Sequence, residues 1–152
     1  MTVSTILRHK GSDVATVPPG RSIAEVVRLL SRRRIGAVPV IDADDHLLGI
    51  LSERDVMYAL ATHGAEALNM TARQLMTVAV QTATAATTFD QAIRAMTDGR
   101  FRHMPVLEKG RLIGIVSIGD VVKARIMEQE AEVDGLKAYV TGAGSTTLSG
   151  LP

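Results

Sequence analysis

One short phrase occurs twice in this chain. Gly49-Ile50-Leu51-Ser52-Glu53-Arg54-Asp55-Val56 returns as Gly114-Ile115-Val116-Ser117-Ile118-Gly119-Asp120-Val121, 65 positions later in a chain of 152 residues. A period of that length means two copies of one supersecondary unit, each too small to bury a comfortable core alone. Further upstream the offset is 66, where Arg28, Arg34 and Pro39-Val40 answer Arg94, Arg100 and Pro105-Val106. The one-residue change falls between Asp42-Ala43-Asp44-Asp45 and Glu108-Lys109-Gly110, where hairpin turns tolerate it.

Both copies open with a capped amphipathic helix. Ser22-Ile23-Ala24-Glu25 and Thr88-Phe89-Asp90-Gln91 read as capping boxes. The apolar stripes behind them are Ile23, Val26, Val27, Leu30 and Phe89, Ala92, Ile93, Met96. A short strand follows (Ala37 to Ile41; His103 to Leu107), then a tight turn and a second strand (Leu47 to Leu51; Leu112 to Val116). A second helix starts at Ser52 or Ser117. The strands are apolar runs bounded by turn residues, which predicts burial. Pro39 and Pro105 cannot donate to a ladder, so they are expected at a strand's first residues or on an edge. The fold class is α/β, two pseudo-symmetric units whose sheets are covered by helices. The expected divisions are a first unit at 6–63, a linker at 64–74, a second unit at 75–127, and a C-terminal helical extension with a flexible tail at 128–152.

Identity between the copies is uneven. From Ser22 to Ile41 four of twenty aligned pairs are identical, whereas from His46 to Val56 six of eleven are. A core-facing helix accepts any apolar residue of similar volume. Literal retention of Gly, Ser and Asp needs a more specific reason.

Ser52-x-x-Asp55 and Ser117-x-x-Asp120 sit where a buried strand turns into a helix. One explanation is a plain N-cap, in which serine accepts a backbone N–H and aspartate complements the helix dipole. The other is a ligand site built on the same geometry. A helix N-terminus suits a phosphate, and the glycine before it lets a ligand approach the backbone. The aspartate oxygens can accept both hydroxyls of a ribose. Two literal copies favour the site, because capping alone would permit Thr, Asn or Glu.

Charge narrows the partners. Seventeen basic residues against sixteen acidic ones leave no global field directed at nucleic acid or an anionic membrane. Two phenylalanines and two tyrosines make poor stacking platforms for single strands. The absence of cysteine removes disulfides and thiolate metal sites, and the seven methionines read as core filler. Met1 to Lys10 carries no long apolar run, so no signal peptide or membrane span is expected and the cytoplasm is the expected compartment. Gly64 reads as a helix stop, and Thr71-Ala72-Arg73-Gln74 as a further cap. Past the second copy, Ile118, Val122, Ile126, Val133, Leu136 and Val140 follow a 3–4 spacing with Gln129 in the gap. This stripe can pack on its own domain or on a second subunit. Asp134-Gly135 is expected to interrupt the helix, and Thr141 to Pro152 to form a mobile tail.

The doubled phrase resembles the tandem cystathionine-β-synthase (CBS) domain pair, the Bateman module. Its motif of Gly, two apolar residues, Ser or Thr, two variable residues and Asp, with an apolar-Pro pair on the earlier strand, is matched in both copies. The resemblance covers roughly Ile6 to Met127. It implies two βαββα units packed pseudo-symmetrically around two clefts, adenosine nucleotides bound there, and homodimers of modules. Carried over by residue, it makes Asp55 and Asp120 ribose ligands and Ser52 and Ser117 phosphate ligands. Val38-Pro39 and Met104-Pro105 line the adenine pockets, completed by Thr16-Val17 and Thr82-Ala83. Arg102 and His103 stand where the family places phosphate-binding cations. Their counterparts are Gly36 and Ala37, and Arg54 is expected to supply the cation missing there.

The expected function is therefore a regulatory, signal-transducing module that binds AMP or ATP, or NAD(H) as an alternative, and acts on an effector protein. It needs no catalytic cofactor. No nucleophile with a base, no paired carboxylates and no metal-ligand spacing among His9, His46 and His63 suggest an enzyme. The rival reading is a ligand-free interaction module working through the C-terminal helix.

Overall fold

The structure is a computed structural model describing residues 1–11 and 13–149, with side chains as far as Val140. In chain order the elements are α1 (Val3–Lys10), α2 (Ile23–Arg33), β1 (Ala37–Ile41), β2 (Leu47–Ser52) and α3 (Glu53–His63). A 3-10 turn (Gly64–Asn69) leads to α4 (Ala72–Leu75), α5 (Phe89–Gly99), β3 (His103–Glu108), β4 (Arg111–Ser117) and α6 (Ile118–Ser149). The helix starts follow from the caps. Ser22 Oγ accepts the Glu25 amide at 3.3 Å ahead of α2. Thr88 and Gln91 exchange both capping bonds ahead of α5, at 3.1 and 2.9 Å. Both helices end on an arginine in the left-handed conformation, Arg34 (φ 54°) and Arg100 (φ 56°), so the two copies share the cap geometry although arginine is strained there.

Each unit holds an antiparallel hairpin, β1–β2 and β3–β4, and the two share one register. Pro39 faces Ile50 and Val40 faces Gly49; Pro105 faces Ile115 and Val106 faces Gly114. Both ladders slip at the same place, after Val40 and after Val106. The first turn is closed by Asp42, whose Oδ1 accepts the amides of Asp44 and His46 at 2.9 Å each. The second is the tighter Lys109-Gly110, with positive φ at both residues, as two-residue hairpins prefer.

The prolines lie deeper than expected. Each is the third residue of its strand and is flanked on both sides. Val17 donates to the Pro39 carbonyl at 3.1 Å and accepts from Ile41 at 3.1 Å; Ala83 repeats this with Pro105 and Leu107, at 2.9 Å each. This parallel pairing uses the proline carbonyl and the amide two residues on, so the missing proline N–H is never required.

Two cores result, and they match position by position. Val17, Ile23, Val26, Leu30, Val38, Val40, Leu51 and Val56 fill the first; Ala83, Phe89, Ala92, Met96, Met104, Val106, Val116 and Val121 fill the second. Volume is exchanged between neighbours: Ile23 with Val26 becomes Phe89 with Ala92, which a packed core accepts.

A ninth position breaks chain order. Ala72 of α4 packs in the first core, and Val3 of α1 packs in the second. The paired bridges Ser22–Thr71 and Thr88–Thr2 place both segments equivalently. The N-terminal helix thus completes the second unit, and the 64–74 stretch, expected as a linker, completes the first. At the far end α6 is continuous through Asp134-Gly135 to Ser149. No interruption occurs there, because a single helical glycine costs only about 1 kcal/mol against alanine. The expected tail at 141–152 is helical in backbone to Ser149, and its last three residues lie outside the described ones.

Candidate functional site

The repeated Ser-x-x-Asp motifs form reciprocal caps at the starts of α3 and α6. Asp55 Oδ2 accepts from the Ser52 amide at 2.9 Å and its hydroxyl at 3.0 Å, while Ser52 Oγ accepts the Asp55 amide at 3.3 Å. Asp120 Oδ2 accepts the Ser117 amide at 2.9 Å, and Ser117 Oγ accepts the Asp120 amide at 3.0 Å. Capping is real at both sites. It holds each carboxylate, partly buried, at a strand-to-helix junction.

What stands opposite the two aspartates differs. Thr77 donates its hydroxyl to Asp55 Oδ1 at 3.3 Å, and its backbone pairs with Ile50 at 2.9 and 3.0 Å. On the second unit the ammonium of Lys10, at the end of α1, lies 2.7 Å from Asp120 Oδ2 and 3.0 Å from the Ile115 carbonyl. A side-chain cation therefore occupies the place that a backbone amide fills beside Ile50. Burial raises the Asp120 pKa, but the Lys10 contact and the Ser117 bonds outweigh it and hold the carboxyl below its ordinary 3.8.

His103 is half-buried beside these groups. Burial, reinforced by Lys10, lowers its pKa below the ordinary 6.5, while Asp120 and Glu53 oppose the shift. Its ring rests on Gly36, where an added Cβ would stand 3.0 Å from Cε1. Gly36 is small because its neighbour across the pseudo-symmetry is large.

The motif glycines play a different part from the one expected. A Cβ on Gly49 would meet the Thr77 carbonyl at 2.7 Å and Met76 Sδ at 2.8 Å; one on Gly114 would meet Leu7 Cδ2 at 2.6 Å. The space they leave is filled by the segments that cross between units, so these glycines admit protein rather than ligand.

Arg54 also departs from expectation. It does not compensate the side of Gly36. It reaches toward the Arg100 carbonyl at 3.5 Å and lines a cleft of about 390 Å³ with Met96, Thr97, Arg100, Phe101, Arg102 and Ile118. Three arginines converge on this cleft. The counterparts of Arg54, Arg100, Arg102 and Ile118 on the other side are Gly119, Arg34, Gly36 and Glu53, so the two faces differ strongly in charge.

The remaining expected residues divide by burial. Val17, Val38, Pro39, Met104 and Pro105 are buried, the valines and methionine inside the two cores. Only their backbone can face a ligand. Thr16 is partly buried and Thr82 exposed, each next to a residue whose amide and carbonyl are taken up by the ladder. Sequence reasoning missed Lys10, Thr77 and Arg100. The first two are placed by segments whose likeness, Thr2 to Leu7 against Thr71 to Met76, is too weak to notice without the packing. Asp42, Asp44 and His46 come within 4.8 Å of one another, but their bonds serve the hairpin turn.

Two pseudo-symmetric α/β units, each with a capped serine–aspartate pair at a strand-to-helix junction, define a paired-repeat module. The profile of the CBS domain matches residues 3–62 and 72–127, and the chain belongs to the CBS-domain family. It is 30% identical over 149 residues to the mitochondrial CBS domain-containing protein CBSX3 of Arabidopsis thaliana, covering 93% of this chain and 72% of that one. A crystal structure of a CBS-domain protein from Agrobacterium tumefaciens is 50% identical, with a TM-score of 0.80 over 82% of this chain and 99% of its own. A structure of CBSX2 in complex with AMP is 27% identical, with a TM-score of 0.72 over 84% and 98%. None of the described helices is long and apolar enough to cross a membrane.

Proposed function

We propose that this protein is a regulatory module that binds an adenosine nucleotide between its two CBS units and carries out no chemistry of its own. The observation that carries the reading is the likeness to CBSX2, crystallised with AMP, joined to carboxylates presented at both helix starts. Asp55 and Asp120 take the ribose hydroxyls. Ser52, Ser117 and the first-turn amides, with Arg54, Arg102 and His103, take the phosphates. The backbone of Val38-Pro39 and Met104-Pro105 borders the base, and Thr16-Val17 and Thr82-Ala83 close the pocket edge. AMP or ATP fits this chemistry, and a dinucleotide such as NAD(H) fits a cleft continued by three arginines. Signalling follows when the nucleotide favours one arrangement of the units, worth about 1–3 kcal/mol of coupling, and a homodimer in the cytoplasm relays it to an effector protein.

Thermal shift tests the reading with AMP, ADP, ATP, NAD, NADH and S-adenosylmethionine. A ligand at 100 times its dissociation constant adds about 2.7 kcal/mol, which raises the melting temperature of a chain this size by roughly 5–10 °C. Asp55→Ala and Asp120→Ala should abolish most of that rise while folding normally. Unaltered binding in both variants assigns the aspartates to capping alone. No shift with any of the six compounds favours the second reading, a ligand-free interaction module, which draws support from the exposed apolar residues of α6.

A further inference from the structure

Helix α6 leaves the body of the molecule near Glu128. Up to there Val121 is fully buried, Ala124 packs on the second core, and Glu128 meets the N-terminal amine at 3.5 Å. From 129 to 140 every side chain is exposed. Helices in proteins draw most of their stability from packing an apolar face, so the stretch calls for a neighbour. Five exposed apolar residues of α6 share one side, Val122, Ile126, Val133, Leu136 and Val140, at 43%, 48%, 50%, 64% and 58% exposed, while Met127 and Tyr139 lie off it. At roughly 100° per residue they lie on a stripe turned away from Val121 and Ala124; Ile118, which opens the stripe, packs on the second core, and from Val122 onward the stripe is open to a neighbour. With Gln129 included the spacing alternates four and three, the narrow seam of a two-helix coiled coil.

We propose that this seam pairs with the same seam of a second copy, the two α6 helices lying parallel and in register. In heptad terms Ile126, Val133 and Val140 occupy a, and Val122, Gln129 and Leu136 occupy d. β-branched residues at a with Leu at d, here Leu136, favour two parallel strands, and the polar Gln129 meets its own copy only when the two parallel helices lie in register. The flanking charges select the orientation. Lys123, Glu130 and Lys137 occupy e, and Arg125 and Glu132 occupy g. In the parallel arrangement each g residue meets the e residue five positions on, so Glu132 faces Lys137 of the partner subunit. Arg125 faces Glu130 of the partner subunit in the same way, although it already pairs with Asp90 of its own chain. An antiparallel pair centred on this seam would instead set Glu130 against its own copy and Lys123 against Lys137 of the partner subunit, which repel. The proposal deepens the homodimer of the preceding section and rests on it only for the identity of the partner; nucleotide binding plays no part.

The chain contains no cysteine, so single substitutions report contacts cleanly. Val122→Cys, Gln129→Cys and Leu136→Cys are made in the full chain, all at exposed positions, and oxidised at low protein concentration. A parallel, in-register pair gives disulfide-linked dimers from all three. An antiparallel pair brings a residue against its own copy only at the crossing point, so cross-linking at one position or none overturns the proposal. Light scattering separates the two possible failures. A dimer without the three cross-links removes the α6 pairing and leaves the homodimer intact, whereas a monomer removes both. Charge reversal supplies a second readout: Glu132→Lys weakens the dimer roughly tenfold, and adding Lys137→Glu restores it. No restoration in the double variant also overturns the arrangement.

Discussion

Replacing Asp120 with asparagine separates the cap from the charge. The amide oxygen can still accept the Ser117 N–H, so the start of α6 survives, but the ion pair to Lys10 is lost. That pair is short, 2.7 Å, yet its partners are 27% and 40% exposed, and solvent screening limits it to about 0.5–1 kcal/mol. Losing the negative charge at the helix start adds about 0.5 kcal/mol. The total, about 1–1.5 kcal/mol, lowers the melting temperature by roughly 2–6 °C. Asp55→Asn faces a hydroxyl rather than an ammonium, so only the dipole part applies and its cost is the smaller. A double-mutant cycle with Lys10→Met, followed by urea denaturation, isolates the ion pair as a coupling of about 0.5–1 kcal/mol. The pH dependence has a definite sign. Asp120 titrates below 3.8 in the folded chain, so its contribution is complete above that value and is lost as pH falls through the folded value. The difference between wild type and Asp120→Asn therefore narrows in acid. Equal costs for the two asparagine variants, or a coupling indistinguishable from zero, would refute the assignment of Lys10 as the partner of Asp120.

His103 supplies a second pH dependence. Its folded pKa lies below 6.5, so wild-type stability is complete above that value and declines as pH falls below it; in His103→Gln the melting temperature measured between pH 7.5 and 5 should decline less. Gly49→Ala and Gly114→Ala both destabilise, the first by about 1–3 kcal/mol because it strikes the Thr77 backbone, the second by less because Leu7 can rotate away; equal melting losses would show that backbone contact is not what limits Gly49. Arg34→Gly should raise stability by up to about 1 kcal/mol, since glycine tolerates the left-handed cap, and calorimetry checks it. Arg100→Gly should gain similarly while weakening phosphate-containing ligands, because it also removes a cation from the cleft.

The local code was legible because it acts over three or four residues. Serine and threonine three positions ahead of an acceptor start helices α2, α3 and α5 wherever the chain places them, and the strands at Ala37 and His103 follow from apolar runs between turn residues. The prolines were harder, since whether a strand is an edge depends on a neighbour, here Val17 or Ala83, more than twenty positions away. The helix through Asp134-Gly135 continued because one glycine is a small cost against many helical bonds.

By itself the sequence determined the two-unit repeat, the caps, the paired cores and the two aspartates at the strand-to-helix junctions, since each of these depends on near neighbours or on a long exact match. Tertiary structure alone decided that α1 completes the second unit, that Lys10 rather than an amide meets Asp120, that Leu7 and Met76 fill the space over the glycines, and that Arg54 joins Arg100 and Arg102 on one cleft. The reason is distance along the chain: Lys10 and Asp120 are 110 residues apart, and nothing in the local pattern of either reveals that packing Val3 into the second core brings their charges together.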